Sequence, residues 1–470
     1  MVDLIVTEKE NITAIADAVR KSFGVDGELT LKDIADKIDE VGGDSDSGDE
    51  PDTSWCIGDG NTHIWIHLEE GMTSPMLGLG VNGTVTVDWG DGSAASSLKG
   101  TTTTSVFRTA AHNYASSGDY VITISGNTEI SILGYSRSYP TSLLLANSNN
   151  ADVKSYAYAN AIKKVEIGDH VTTIGSYAFS FCSSLTDIVI SNSVKSIGTY
   201  AFQDCYALNN VIIPNSVTAI GSYVFANCYS LTNVLLPDNI TTIVNGMFSK
   251  CYSLKSFIIP EGVVEVGASA FNGCGSLCDV IIPDTVVRIG DSAFSTCGSL
   301  GSITIPGNVT KIDAYAFYND YTLTSISLQE GLTSIGDKAF NYCYALKDIE
   351  LPSTVTNIGS NAFSQNYAIE SLTIPDGVTE IAANSISGIR TLVKIVFGKG
   401  VAKICDYAFS GDSNLSVLDF SRHEAVPTLA STGAFTNVSN LTKIRVPAAL
   451  VDEWKAATNW STYASKIVGV

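Results

Sequence analysis

The chain has 470 residues, 45% of them hydrophobic, and a formal net charge of −21. That length exceeds one ordinary domain unless part of it is a repeat array, and the apolar content suffices for a real core. The charge excludes nucleic acid and anionic membrane as partners, because both select a positive footprint. No apolar run reaches the length of a membrane-spanning helix, so no membrane insertion is expected.

The acidic excess is uneven: residues 1–50 hold 14 acidic and 5 basic side chains, so −9 of the −21 lies in the first tenth. The opening MVDLIVTEKENITAIADAVRKSFG lacks a basic start followed by an apolar run and does not read as a secretory signal. Such a chain is expected in the cytosol at synthesis, unless a signal has been removed. Ile12, Ile15, Ala16, Val19 and Phe23 share one helical face, and Gly24 stops the helix. A second helix follows, with Thr30 as N-cap, Asp33 three residues on, and Leu31, Ile34, Ile38 and Val41 as its stripe. Residues 1–42 therefore read as a helical hairpin for attachment or oligomerisation, too small to bury much alone. Residues 43–54 form a flexible acidic linker.

From Trp55 the pattern alternates as strands do, in HIWIHL, TVTVDW and YVITIS. DWGDGS (Asp88–Ser93) ends one strand in an Asp-Gly turn, and HNYASSGDYVITISG (His112–Gly126) supplies another turn and strand. A small β-sandwich over residues 55–135 follows, with 136–150 as a connector. The Trp-Gly-Asp-Gly turn and the late tyrosine-bearing strand resemble a PKD-like immunoglobulin-type domain. Asp88 and Asp91 could hold Ca²⁺ or cap their own turn, and the second reading is adopted. His63 and His67 lie on one strand face, but no third ligand is evident. No metal and no cofactor are expected.

Residues 151–446 are a repeat. Phenylalanine recurs every 23 residues at Phe179, Phe202, Phe225, Phe248, Phe271, Phe294, Phe317, Phe340 and Phe363; Ile386 takes the next place and Phe409 resumes. Leucine or isoleucine follows six residues behind each, as Leu185 and Leu208 do. Cys182, Cys205, Cys228, Cys251, Cys274, Cys297 and Cys343 share the grid. They mark a phase rather than a set of disulfides or zinc ligands, and read as small buried thiols. Asp320, Asn366 and Asp412 hold the same place, which suggests backbone amides capped there. One such unit cannot bury its own apolar side; stacking does it, each coil's strand pairing with the next about 4.8 Å away. Glycine after V-x-x-I is expected to let the backbone turn, and proline after I-x-I to end the strand. Phe435 and Leu441 come three residues late, which marks the exit from the array.

This pattern resembles the BspA-like (Treponema-type) leucine-rich repeats. The end, VPAALVDEWKAATNWSTYASKIVGV, is similar to the terminal cap of such arrays. It is expected to place a helix from Val451 to about Lys466, within residues 447–470, over the last coil's open edge. The fold expected is multidomain: a short α-helical hairpin, a PKD/Ig-like β-sandwich, and a β-rich leucine-rich-repeat solenoid with a C-terminal helical cap.

The repeated letters serve stacking, so recognition must lie where coils differ outwardly. In TDIVIS, Ile188 and Ile190 face inward and Val189 outward. The same outward position holds Ile212, Leu235, Ile258 and Ile281, then changes to Thr304, Ser327, Glu350 and Thr373. Five apolar outward residues make a stripe suited to a ligand or a second copy. Two tyrosine ladders accompany it: Tyr206, Tyr229 and Tyr252, with Tyr321, Tyr344 and Tyr367 later; and Tyr177, Tyr200 and Tyr223, with Tyr315 and Tyr407 later. Stacked tyrosines stabilise a solenoid edge, and they also recognise proteins and sugars. The five histidines are scattered and no nucleophile or phosphate-loop motif is present, so a non-enzymatic binding protein is expected.

The segment ITAIADAVRKSFGVDGELTLKDIADKIDEV resembles the helical hairpin that begins many phage tail-associated proteins. That resemblance implies a tail fibre or receptor-binding protein of a phage or prophage virion. It would be a homo-oligomer, a trimer among the options, held to other virion proteins through residues 1–45. Its repeats would face a bacterial surface receptor, protein or glycan. The repeat resemblance implies the alternative, a bacterial cell-surface adhesin for host matrix proteins or other cells.

Overall fold

The computed structural model describes residues 55–70, 73–100, 106–126, 130–132, 144–146 and 159–470. The expected hairpin and acidic linker lie outside the described residues, as does most of 136–150. The chain divides into two compact units, Met1–Ile240 and Thr241–Val470.

In the first unit the alternating stretches form β1 (Thr62–Leu68), β2 (Pro75–Val81), β3 (Thr84–Asp88), β4 (Ser96–Lys99), β5 (Val106–Ala111) and β6 (Gly118–Gly126). The two-residue period sets their faces: in β3, Val85 and Val87 are buried while Thr84, Thr86 and Asp88 are exposed. β7 (Ile130–Ile132) and β8 (Leu144–Ala146) follow. The coils then contribute β9 (Ile162–Ile167), β10 (Val171–Ile174), β11 (Asp187–Ile190), β12 (Ser196–Ile197), β13 (Asn210–Ile212), β14 (Ala219–Ile220) and β15 (Asn233–Leu235). One sheet runs β15-β13-β11-β9-β1-β6-β3-β4; the other runs β14-β12-β10-β7-β2-β5, with β8 also on β2.

Coil strands pair in parallel. β1 meets β9 antiparallel with Ile64 opposite Val165, and β7 meets β10 in parallel with Ile132 opposite Ile174. Both sheets of the first coil thus continue into strands that precede residue 133, across the connector drawn from sequence. The physical reason is the open edge. A terminal coil presents unpaired amides and carbonyls, and β1 and β7 supply their partners.

The DWGDGS turn is held by its own side chains. Asp88 Oδ1 accepts the Gly90 amide at 2.9 Å and Asp91 Oδ1 accepts that of Ser93 at 3.0 Å. The other Asp91 oxygen meets His112 Nε2 at 2.8 Å, and this imidazole stacks on the buried Trp89. Hydrogen bonds from Ser93 and His112 hold the Asp91 carboxyl at about 2. His63 is buried between Asp59 and Thr123, whereas His67 is exposed beside Asp119, so the two do not converge. Among the described residues, no group of three or more His, Cys, Asp or Glu is placed to hold a metal ion.

The coils repeat one construction in both units. The phenylalanines are fully buried and stacked, at 5.3 Å for Phe179–Phe202 in the first unit and 5.2 Å for Phe271–Phe294 in the second. Around each ring the backbone forms a third ladder: the amides of Tyr177, Phe179 and Phe181 donate to the carbonyls of Thr199, Ala201 and Gln203 at 2.7–3.0 Å. In coil after coil two residues, four apart, adopt positive φ there, as in Tyr200 (59°) with Asp204 (62°) and Tyr223 (57°) with Asn227 (62°), whereas the coil of Phe435 has it only at Asn437. For a non-glycine residue this conformation costs about 1–2 kcal/mol, which the intercoil bonds offset.

The glycine of V-x-x-I-G does not serve a turn. Gly221 has no positive φ, but a Cβ there would stand 2.2 Å from the backbone nitrogen of Thr199 in the preceding coil. The missing side chain lets adjacent coils close together.

In the second unit the three extra residues before Phe435 do not end the array. Phe435 stacks on Phe409 at 5.4 Å, Val417 pairs with Lys443, and a last strand, Ile467–Gly469, pairs with Lys443–Val446. The cap is not one helix to Lys466. Helix α1 (Val451–Ala456) stops at the extended Ala457, and a 3₁₀ segment covers Trp460–Lys466. Asn459 Nδ2 donates to the Leu429 and Ala430 carbonyls at 2.8 and 3.2 Å, and Trp460 Nε1 donates to that of Pro427 at 2.8 Å. These bonds to the last coil outweigh helix continuation through Thr458 and Asn459, both weak helix formers.

Candidate binding surface

Most repeated residues are consumed by the stack. Cys205 Sγ donates to the Phe179 carbonyl at 3.1 Å, Cys228 to Phe202 at 3.2 Å, and Cys343 to Phe317 at 3.0 Å. Asn366 Nδ2 does the same toward Phe340 at 3.0 Å. Asp320 and Asp412 use the position in the opposite sense: each Oδ1 accepts an amide of the preceding coil, from Cys297 and Ile389, at 2.7 Å. Burial pushes the Cys274 thiol up to about 12 and holds the Asp320 and Asp412 carboxyls well above the usual carboxylate range. All these groups are shut away from solvent.

The outward stripe is placed unevenly. Val189 is 7% exposed and thus buried. It pairs with Glu166, whose carboxylate accepts the amides of Ile57 and Gly58 at 3.0 Å, so the chain at 57–58 passes over this face of the sheet. Ile212 and Leu235 in the first unit, and Ile258 and Ile281 in the second, are half-buried. Further along the second unit, Thr304, Ser327, Glu350 and Thr373 are exposed at the same phase.

The tyrosines form real stacks. Tyr206 and Tyr229 lie 4.7 Å apart at 11°, and both are exposed. Tyr177, Tyr200 and Tyr223 form a second, half-buried stack at 5.0 and 5.2 Å. Offset stacking of this kind is the favourable geometry for aromatic rings, and coil spacing imposes it. Burial, then the charge of Asp204, raises the Tyr206 phenol. Tyr252, in the second unit, is also exposed.

In the second unit the later tyrosines do not remain two separate ladders. Tyr315 contacts Tyr318 at 5.5 Å, Tyr318 contacts Tyr342 at 5.6 Å, Tyr342 contacts Tyr344 at 5.9 Å, and Tyr344 stacks on Tyr367 at 5.0 Å. Tyr318 and Tyr342, absent from the sequence-derived ladders, are the bridges. Their signal is local: Tyr318 follows a grid phenylalanine and Tyr342 precedes a grid cysteine. Lys338 Nζ lies 5.0 Å from the Tyr315 ring and donates to its Oη at 3.0 Å; the Arg390 guanidinium lies 5.7 Å from the Tyr367 ring. The arrangement offers ring edges, hydroxyls and two cations on one surface.

Among the described residues, no helix is long and apolar enough to cross a membrane. No curated protein is significantly similar to the chain. Among solved structures, the chain is similar to a leucine rich cell surface protein of Faecalibacterium prausnitzii A2-165. The identity is 24% with a TM-score of 0.42, covering 74% of this chain and 96% of that one. It is also similar to the pneumococcal vaccine antigen PcpA, at 18% identity and a TM-score of 0.50 over 74% of this chain and 85% of that one. A third is a leucine rich repeat protein of T. pallidum, at 26% identity and a TM-score of 0.30 over 44% of this chain and 83% of that one. The BspA type Leucine rich repeat region matches residues 149–278, 264–392 and 365–455. With its buried phenylalanine stack and one strand pair per coil, the chain belongs to the BspA type leucine-rich repeat family.

Proposed function

We propose that this chain is a non-enzymatic binding protein that acts at a bacterial surface as an adhesin, contacting host matrix protein or other cells through exposed faces of its solenoid. The observation that carries the reading is the division of labour within each coil. Phenylalanine, leucine, cysteine and glycine are spent on stacking, while Tyr206, Tyr229 and Tyr252 remain exposed at a fixed phase. Exposed aromatics are favoured contact residues, because they bury large area at low entropic cost. Membership in the BspA type family supports a binding role. So does a fold shared with a protein described as a vaccine antigen. The half-buried Ile212, Leu235, Ile258 and Ile281 are assigned to the same contact role. A PKD-type identity for residues 55–135 belongs to this reading and is supported by the packing of Trp89, Asp91, His112 and Tyr114. A tail-fibre placement rests on residues 1–42 alone.

The test is capture of the purified full chain on wells coated with extracellular-matrix protein and on intact bacterial cells. The Tyr206→Ser/Tyr229→Ser and Leu235→Asp/Ile258→Asp variants are compared at matched folding by circular dichroism. Capture by the wild type with loss in either folded variant supports the adhesin. No capture on any surface contradicts it. A symmetric trimer held through residues 1–45 that binds only bacterial cells supports the virion reading instead.

A further inference from the structure

The tyrosine band of the second unit holds two cations set against aromatic rings. The chain is strongly acidic, at −21 overall. In this unit Arg288, Lys311, Lys394, Lys403, Arg422 and Arg445 all pair with carboxylates. Lys338 and Arg390 face aromatic rings instead, near the two ends of the band from Tyr315 to Tyr367. Asp337 Oδ1 accepts the Ser360 amide at 2.7 Å, and Asp320 is fully buried with Oδ1 on the Cys297 amide.

We propose that this band binds an acidic polysaccharide, a polymer of sugar rings bearing uronic-acid carboxylates. The inference rests on the reading of the chain as a binding protein. The two cations attract carboxylates to this strip of a strongly acidic chain, and among the described residues neither is ion-paired with a carboxylate. Tyrosine rings pack against the C–H faces of pyranoses, and their hydroxyls exchange hydrogen bonds with sugar hydroxyls. Tyr321, Tyr344 and Tyr367 are exposed on three successive coils, and the exposed Tyr315 contacts Tyr318, which in turn contacts Tyr342. Coils succeed one another about every 4.8 Å, so the strip is a periodic array of rings and hydroxyls suited to a periodic, hydroxyl-rich polymer. An acidic peptide would match the charges but leave this array of hydroxyls largely unused.

The experiment is affinity electrophoresis of the full chain through gels containing polygalacturonate, dextran or poly-glutamate. Retardation by polygalacturonate is expected, weakened by salt, with none by dextran and little by poly-glutamate. The exposed-residue variants Lys338→Gln/Arg390→Gln and Tyr344→Ser/Tyr367→Ser should each weaken it about tenfold or more at an unchanged unfolding midpoint. The single variant Lys338→Gln serves as the charge test if a double variant fails to fold. The proposal is overturned by absent retardation in polygalacturonate, by equal retardation in dextran or poly-glutamate, or by folded variants that bind as the wild type does. Matrix capture that persists while polygalacturonate retardation is absent overturns this site and leaves the proposed function standing.

Discussion

Asp320 occupies the place where seven other coils put a cysteine, and the exchange reverses the direction of a hydrogen bond. One oxygen accepts the Cys297 amide; the other is buried with no hydrogen-bond partner among the described residues. Desolvation raises the carboxyl well above its ordinary value, so the folded chain holds this proton more tightly than the unfolded chain. That contribution to stability is full below the unfolded pKa of about 3.9 and is lost as pH rises through the folded value. Asn366 shows the remedy, an amide that donates to the Phe340 carbonyl. Asp320→Asn is therefore expected to stabilise the protein by about 1–3 kcal/mol at about pH 8 and by little at about pH 4, measured by urea unfolding. An equal effect at both would show that the carboxyl is ionised throughout. The cysteines give a second residue-scale expectation. Cys278 is exposed, whereas all seven grid cysteines are buried. A thiol reagent should label Cys278 promptly in the native protein and the grid cysteines only after denaturation, with mass spectrometry assigning the sites.

At the scale of the element, the coil is the unit that sequence reveals best. Phenylalanine, cysteine and leucine at a fixed spacing fix its phase, and the structure buries those residues. Phe271→Ala removes a ring stacked on both Phe248 and Phe294 and is expected to cost about 3–5 kcal/mol in urea unfolding. The role of the glycine was less legible, because close approach and turn conformation both select glycine; only the neighbouring Thr199 backbone tells them apart. Positive φ at Tyr177, Tyr200 and Tyr223 was not legible at all. Tyrosine carries no preference for that region, and the intercoil amide bonds impose it. The broken C-terminal helix has a similar cause, since Asn459 and Trp460 bond to carbonyls some 30 residues earlier. Removing residues 447–470 uncovers the strand Lys443–Val446, now paired with Ile467–Gly469. The truncated chain is expected to self-associate in light scattering where the full chain does not.

At the scale of the molecule, what sequence could not supply is pairing between distant segments. β1 and β9 are joined 100 residues apart, with Ile64 opposite Val165 and no shared motif, so the continuity of the leading strands with the first coil has no periodic signature. The same limit applies to the tyrosines. The two ladders are regular and readable, but their fusion through Tyr318 and Tyr342 depends on ring positions across coils. The proposed function belongs to this scale, because an aromatic surface arises only when coils stack. Its most direct test is capture of the full chain on immobilised matrix protein, with and without Tyr206→Ser/Tyr229→Ser. Saturable capture is expected, falling about tenfold or more in the variant at an unchanged unfolding midpoint. Capture equally strong in a folded variant, or none by the wild type on matrix protein or cells, would contradict it.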